Sequence, residues 1–190
     1  MKRTQNTSNQ ADTATRFVDT TAKLSLLMAG LAILWCLCQW LAVVLLGQFD
    51  IVGWMRSEQL PVPAVFFWLD RNAAILTVLM LLLSIGYFVV SWGLLKHREW
   101  GRLGFVVCLM IIALANVAVV PLLDAVIVGL QTVIPAELLH SDEGRELRVQ
   151  LLVARWTSGL LAGATALGLA ALHAWLIFRL YRTDVRSLFN

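Results

Sequence analysis

The chain has 190 residues, of which 59% are hydrophobic and only 14% charged, with a formal net charge of +3 and a mean hydropathy of +0.78. A water-soluble domain is about half apolar and a quarter charged, so this balance excludes an ordinary soluble domain and points to a lipid bilayer as solvent. Bilayer hydrocarbon is about 30 Å thick and takes about 20 apolar residues of helix to cross, and irregular backbone cannot face lipid.

In chain order, residues 1–23 are polar and rich in Thr and Asn. They are too long for the leading region of a signal peptide and no small-residue cleavage pattern follows, so the expectation is a disordered cytoplasmic tail. The first membrane helix is expected at about 24–47, acting as an uncleaved signal anchor. Cys36 and Cys38 are two apart and point to different faces of it. With Cys108 they read as small apolar side chains rather than a disulfide framework.

A loop is expected over Gln48 to Asn72. It is unusually apolar, with Trp54, Phe66, Phe67 and Trp68 around Pro61 and Pro63. Such a segment fits the headgroup layer or folds over helix ends, and a docking surface is the alternative.

The second helix is expected at about 73–95, followed by the hairpin LLKHREWGRLG, Leu94 to Gly104. The third helix is expected at about 103–131, bent at Pro121 and stopped by Pro135. Ser141 is a candidate cap for a helix that begins near Asp142, with the fourth spanning part at about 156–180 and a cytoplasmic tail over 183–190. The fold class predicted is all-α, an integral membrane four-helix bundle whose third and fourth helices extend beyond the outer face.

Cations set the orientation. Lys2, Arg3, Arg16 and Lys23 precede the first helix, Lys96, Arg98 and Arg102 lie in the hairpin, and Arg179, Arg182 and Arg186 close the chain. The first outer loop has only Arg56 and Arg71, and in the third loop Arg145, Arg148 and Arg155 are offset by Glu137, Asp142, Glu143 and Glu146. The positive-inside rule then makes both termini and the hairpin cytoplasmic, and the basic balance is a topology signal rather than a sign of nucleic-acid binding. The hairpin cations have a second reading as holders of anionic headgroups.

Gly159 and Gly163 form a GxxxG on the fourth helix, continued by Ala166 and Ala170. Small residues at this spacing let helices approach closely, within the chain as the first reading or with another protein as the second. Gln39, Ser84 and Asn116 fall near mid-membrane and read as interhelical hydrogen-bonding groups, with a midplane substrate or ion site as the alternative. Asp124 is the one acid inside the apolar runs and is matched in depth by Arg71 and Arg155, which suggests an ion pair. His173 reads as a hydrogen-bonded packing residue, with haem ligation or proton relay as the alternative.

No phosphate-binding loop, GxSxG, HExxH or CxxC motif is present. No catalytic residue, metal site or cofactor is therefore assigned. The stretch GLLKHREWGR, Gly93 to Arg102, and the ending YRTDVRSLFN, Tyr181 to Asn190, resemble the basic and aromatic cytoplasmic hairpin and short tail of small bacterial four-helix inner-membrane proteins. The resemblance covers about twenty residues, implies a bacterial inner membrane, and carries no catalytic residue. The functional expectation is a non-enzymatic accessory or scaffold protein that binds another membrane protein. A small homo-oligomeric transporter or channel subunit is the alternative, with Asp124, Asn116 and Gln39 lining its pathway.

Overall fold

The computed structural model describes residues 2–46, 51–133 and 141–189, and the described residues form helices joined by short turns. In chain order these are α1 (Lys2–Leu46), α2 (Ile51–Ser57), α3 (Ala64–Leu95), α4 (Glu99–Val133), α5 (Asp142–Tyr181) and α6 (Thr183–Arg186). Four stretches are long and apolar enough to cross a membrane: Asp12–Leu45, Ala64–Leu95, Glu99–Val133 and Gly144–Tyr181. Even the 32 residues of α3 span about 48 Å of helix, well over the hydrocarbon thickness. In the most apolar window of each stretch only 6% to 17% of the residues are buried. Leu160, Leu161 and Phe178 are each at least 70% exposed, an arrangement that suits a surrounding hydrocarbon solvent and not water.

Two expected boundaries are corrected. Residues up to 23 are not a disordered tail, because α1 already runs from Lys2. Ala14, Val18 and Ala22, four apart, are fully buried, so a stripe of small side chains hidden among threonines holds the extension down. An exposed Arg16–Asp12 pair at 3.0 Å supports the same helix. The loop expected to last until Asn72 ends at Pro63, whose carbonyl accepts from the N–H groups of Phe66 and Phe67 at 3.0 and 3.2 Å and opens α3 at Ala64. Phe66, Phe67 and Trp68 are therefore helical. The segment after Tyr181 turns back as α6, and Val185 and Phe189 are buried. Pro121 lies inside α4 without ending it, and the expected stop at Pro135 lies outside the described residues.

The chain divides into two compact units, each built from parts of the long helices. The first takes Met1–Gln39, Thr77–Ala113 and Ala170–Asn190. Its core joins Ala14, Val18 and Ala22 to Leu94, Phe105, Leu109, Leu180, Val185 and Phe189. The α3–α4 hairpin is its sharpest feature. Helix α3 closes with Arg98 N–H on Gly93 O and His97 N–H on Leu94 O, both at 3.0 Å, and His97 in the left-handed region at φ 53°. This is the hydrogen-bond pattern that ends a helix around a left-handed residue, usually glycine. Gly93 and Gly101 then lie backbone against backbone: a Cβ on Gly93 would fall 2.9 Å from the Gly101 Cα, and one on Gly101 would run into the Gly93 and Leu94 backbone. Only glycine permits this approach.

The second unit takes Trp40–Leu76 and Leu114–Leu169. In it Val52 and Met55 of α2 are buried, and Gly129 of α4 packs so closely that a Cβ there would lie 2.9 Å from Val65. Helix α5 starts with Ser141 Oγ accepting from the Gly144 N–H at 3.0 Å.

Candidate functional site

In the first unit the polar centre is Arg102. Expected as an orienting cation in the hairpin, it sits one turn into α4 with a side chain only 3% exposed. Only the loop placement is corrected, and for a geometric reason: the tight Gly93–Gly101 crossing turns the start of α4 inward, so the residue after Gly101 faces the core. Its Nε donates to Glu99 Oε2 at 3.0 Å and Nη2 to Oε1 at 2.5 Å, while Nη1 reaches the Leu180 carbonyl at 3.4 Å. The guanidinium also lies 5.3 Å from the Tyr181 ring and 5.9 Å from that of Phe189. An arginine so enclosed needs its carboxylate and carbonyl partners, since an unpaired buried charge is costly. Arg102 thereby ties the hairpin to the end of α5 and to the chain terminus. The Glu99–Arg102 spacing of three was the available signal.

The other two hairpin cations, Lys96 and Arg98, stay at the surface. Lys96 stacks over Trp92 at 5.4 Å, Arg98 is exposed, and His97 Nε2 lies 3.5 Å from Asp19. Ser84 donates to the Met80 carbonyl at 2.8 Å and touches Cys36 Sγ at 3.9 Å. Gln39 and Ser84 belong to the first unit and Asn116 to the second, so the three do not build one site within either unit. The His173 Nδ1 is buried without a hydrogen-bond partner among the described residues. Ser91 Oγ is buried and without such a partner as well.

In the second unit Arg155 grips Asp124 with both arms, Nε to Oδ1 at 2.5 Å and Nη2 to Oδ2 at 2.9 Å. Of the two arginines considered, Arg155 holds the carboxylate, and Arg71 is exposed. The fork-to-fork geometry uses both carboxylate oxygens, which leaves Asp124 poorly placed to bind a cation. Trp54 and Trp68 are exposed, and Arg56 lies 5.8 Å over the Phe67 ring.

The GxxxG does not bring two described helices together. A Cβ on Gly159 or on Gly163 would find no atom within 4 Å among the described residues. Beside it runs an open groove of ≈ 350 Å³ between α4 and α5, whose lining includes Asn116, Ser158, Ala162, Thr165 and Ala166. Ala166 is buried on it, and Ala170 lies on the part of α5 that belongs to the first unit. The Ser158 hydroxyl donates back to the Ala154 carbonyl at 2.6 Å. No hydrogen bond joins the Asn116 amide to another described residue. Sequence reasoning found the small-residue stripe and Asn116 separately, and missed that Ala166 of the stripe lines the same groove as Asn116.

Among the described residues no three of His, Cys, Asp and Glu converge as a metal-ion cluster. Compared with known proteins, the chain matches no protein family, no curated protein and no solved structure.

Proposed function

We propose that the chain is a non-enzymatic accessory subunit of a membrane assembly and that it binds a transmembrane helix of another protein in the α4–α5 groove of the second unit. The observation that carries this reading is the open groove in which the small residues Ser158, Ala162 and Ala166 of α5 face Asn116 of α4. Small residues admit a second helix to backbone distance, and an amide facing lipid lacks the hydrogen bonds that a partner helix supplies. The two-armed hold of Arg155 on Asp124 favours this reading over a transport pathway lined by that carboxylate.

The proposed setting is a bacterial inner membrane with both termini cytoplasmic. Charge supports that orientation: the first unit has ten Lys and Arg against four Asp and Glu, and the second has five against eight.

The test is affinity purification from native membranes after mild solubilisation, with wild type beside Ala162→Leu and Asn116→Leu. The expected result is one partner in fixed ratio with wild type, lost in both variants while helicity and melting temperature are kept. Retention of the partner in both variants would refute the groove. A homo-oligomer with no other protein would favour the transporter alternative.

A further inference from the structure

The first unit contains a second groove, of ≈ 570 Å³, that the proposed partner role does not use; Thr13, Phe17, Trp175, Phe178, Arg179 and Arg182 line it. Thr13 and Phe17 are one turn apart on α1. Trp175, Phe178 and Arg179 of α5 fall at i, i+3 and i+4 on one helix face, and Arg182, in extended backbone just past the end of α5, continues the wall. Phe17 and Trp175 meet edge to face at 5.8 Å and 89°, and the Arg179 guanidinium lies 5.5 Å from the Phe17 ring. These contacts set one wall of the groove and hold Arg179 at its edge. The groove is thus apolar along Trp175 and Phe178, both exposed, and cationic at the end where Arg179 and Arg182 stand.

We propose that this groove holds an anionic phospholipid, its phosphate between Arg179 and Arg182 and an acyl chain along Trp175 and Phe178. The inference rests on the bilayer setting and the cytoplasmic orientation of this unit, and not on the partner groove. Charge complementarity selects the occupant. Asp184 is the nearby acid, 3.9 Å from Arg179 Nη1 and 3.3 Å from Arg182 Nε. One carboxylate against two guanidiniums leaves an excess cation, and Arg182, 60% exposed, keeps its outer nitrogens free for a phosphate. An anionic headgroup balances that excess, whereas a zwitterionic one brings a cation of its own. Trp175 occupies the amphipathic position at which tryptophan meets the headgroup layer, and cationic pockets between cytoplasmic helix ends are suited to anionic headgroups.

The experiment is native mass spectrometry of the full chain in detergent, titrated with phosphatidylglycerol and with phosphatidylcholine of the same acyl chains. The expected result is preferential phosphatidylglycerol adducts. Arg179→Gln/Arg182→Gln should weaken them about 25-fold, at roughly fivefold for each near-surface arginine. Asp184→Asn should tighten them by removing the competing carboxylate, and Arg145→Gln/Arg148→Gln should leave them unchanged. Equal binding of the two lipids, or adducts indifferent to the arginine pair, would overturn the proposal. Displacement by inorganic phosphate at concentrations similar to the lipid would also overturn it, reducing the site to a bare phosphate cradle. If the arginine variant fails to fold, Phe178→Ser and Asp184→Asn carry the test: opposite shifts support the site, and no shift in either overturns it. Because the readout is lipid on the isolated chain, its failure leaves the partner reading untouched.

Discussion

Replacing Arg102 by methionine tests the central knot of the first unit. Methionine keeps the apolar stem and removes the charge. The loss includes cation–π contacts to Tyr181 at 5.3 Å and Phe189 at 5.9 Å, at about 0.5–1 kcal/mol each. It also includes the long hydrogen bond to the Leu180 carbonyl at 3.4 Å, about 0.5 kcal/mol or more because that acceptor is left enclosed. The sum is about 1.5–2.5 kcal/mol, which for a chain of this size lowers the melting temperature by about 3–10 °C. Differential scanning fluorimetry in detergent measures the shift. Limited trypsin digestion adds a local readout, since loss of the guanidinium frees Phe189 and should speed cleavage after Arg186. Arg102→Lys should fall between, because an ammonium cannot make the two-armed contact, and the exposed Arg98→Met should stay within about 0.5 kcal/mol of wild type. A variant at Arg102 that melts with wild type and keeps its terminus protected would refute the reasoning.

Two further predictions concern packing. Gly101→Ala should destabilise by about 1–3 kcal/mol, because its Cβ strikes the Gly93 backbone. Gly159→Ala, whose Cβ finds open space, should be neutral or stabilising by up to about 1 kcal/mol; thermal melts of the two variants side by side check the contrast. Val18→Asp should lower the melting temperature and remove amide-exchange protection from residues 12–23, because Val18 is fully buried in the first unit. A tail without structure would show neither effect.

The four apolar helices were legible in the sequence because solvent dictates composition. A segment crossing hydrocarbon must be long, apolar and internally hydrogen-bonded, and that requirement is local. The Asp124–Arg155 pair was within reach for a similar reason, since a carboxylate in an apolar run demands a cation at matching depth, although depth alone left Arg71 as an equal choice. What the local pattern did not carry was the contact partner of each residue. The α1 extension is built on Ala14, Val18 and Ala22, side chains too small to stand out among threonines until the α3–α4 hairpin and α5 are seen against them. Arg102 reads as one more loop cation until the Gly93–Gly101 crossing turns it inward. The GxxxG reads as a helix-packing motif, and only the fold reveals that no described helix occupies it. Membrane insertion is a property of each segment's own transfer from water, so sequence by itself determined it. Burial, pairing and open grooves depend on which distant segments share a volume, and only the tertiary structure decided those.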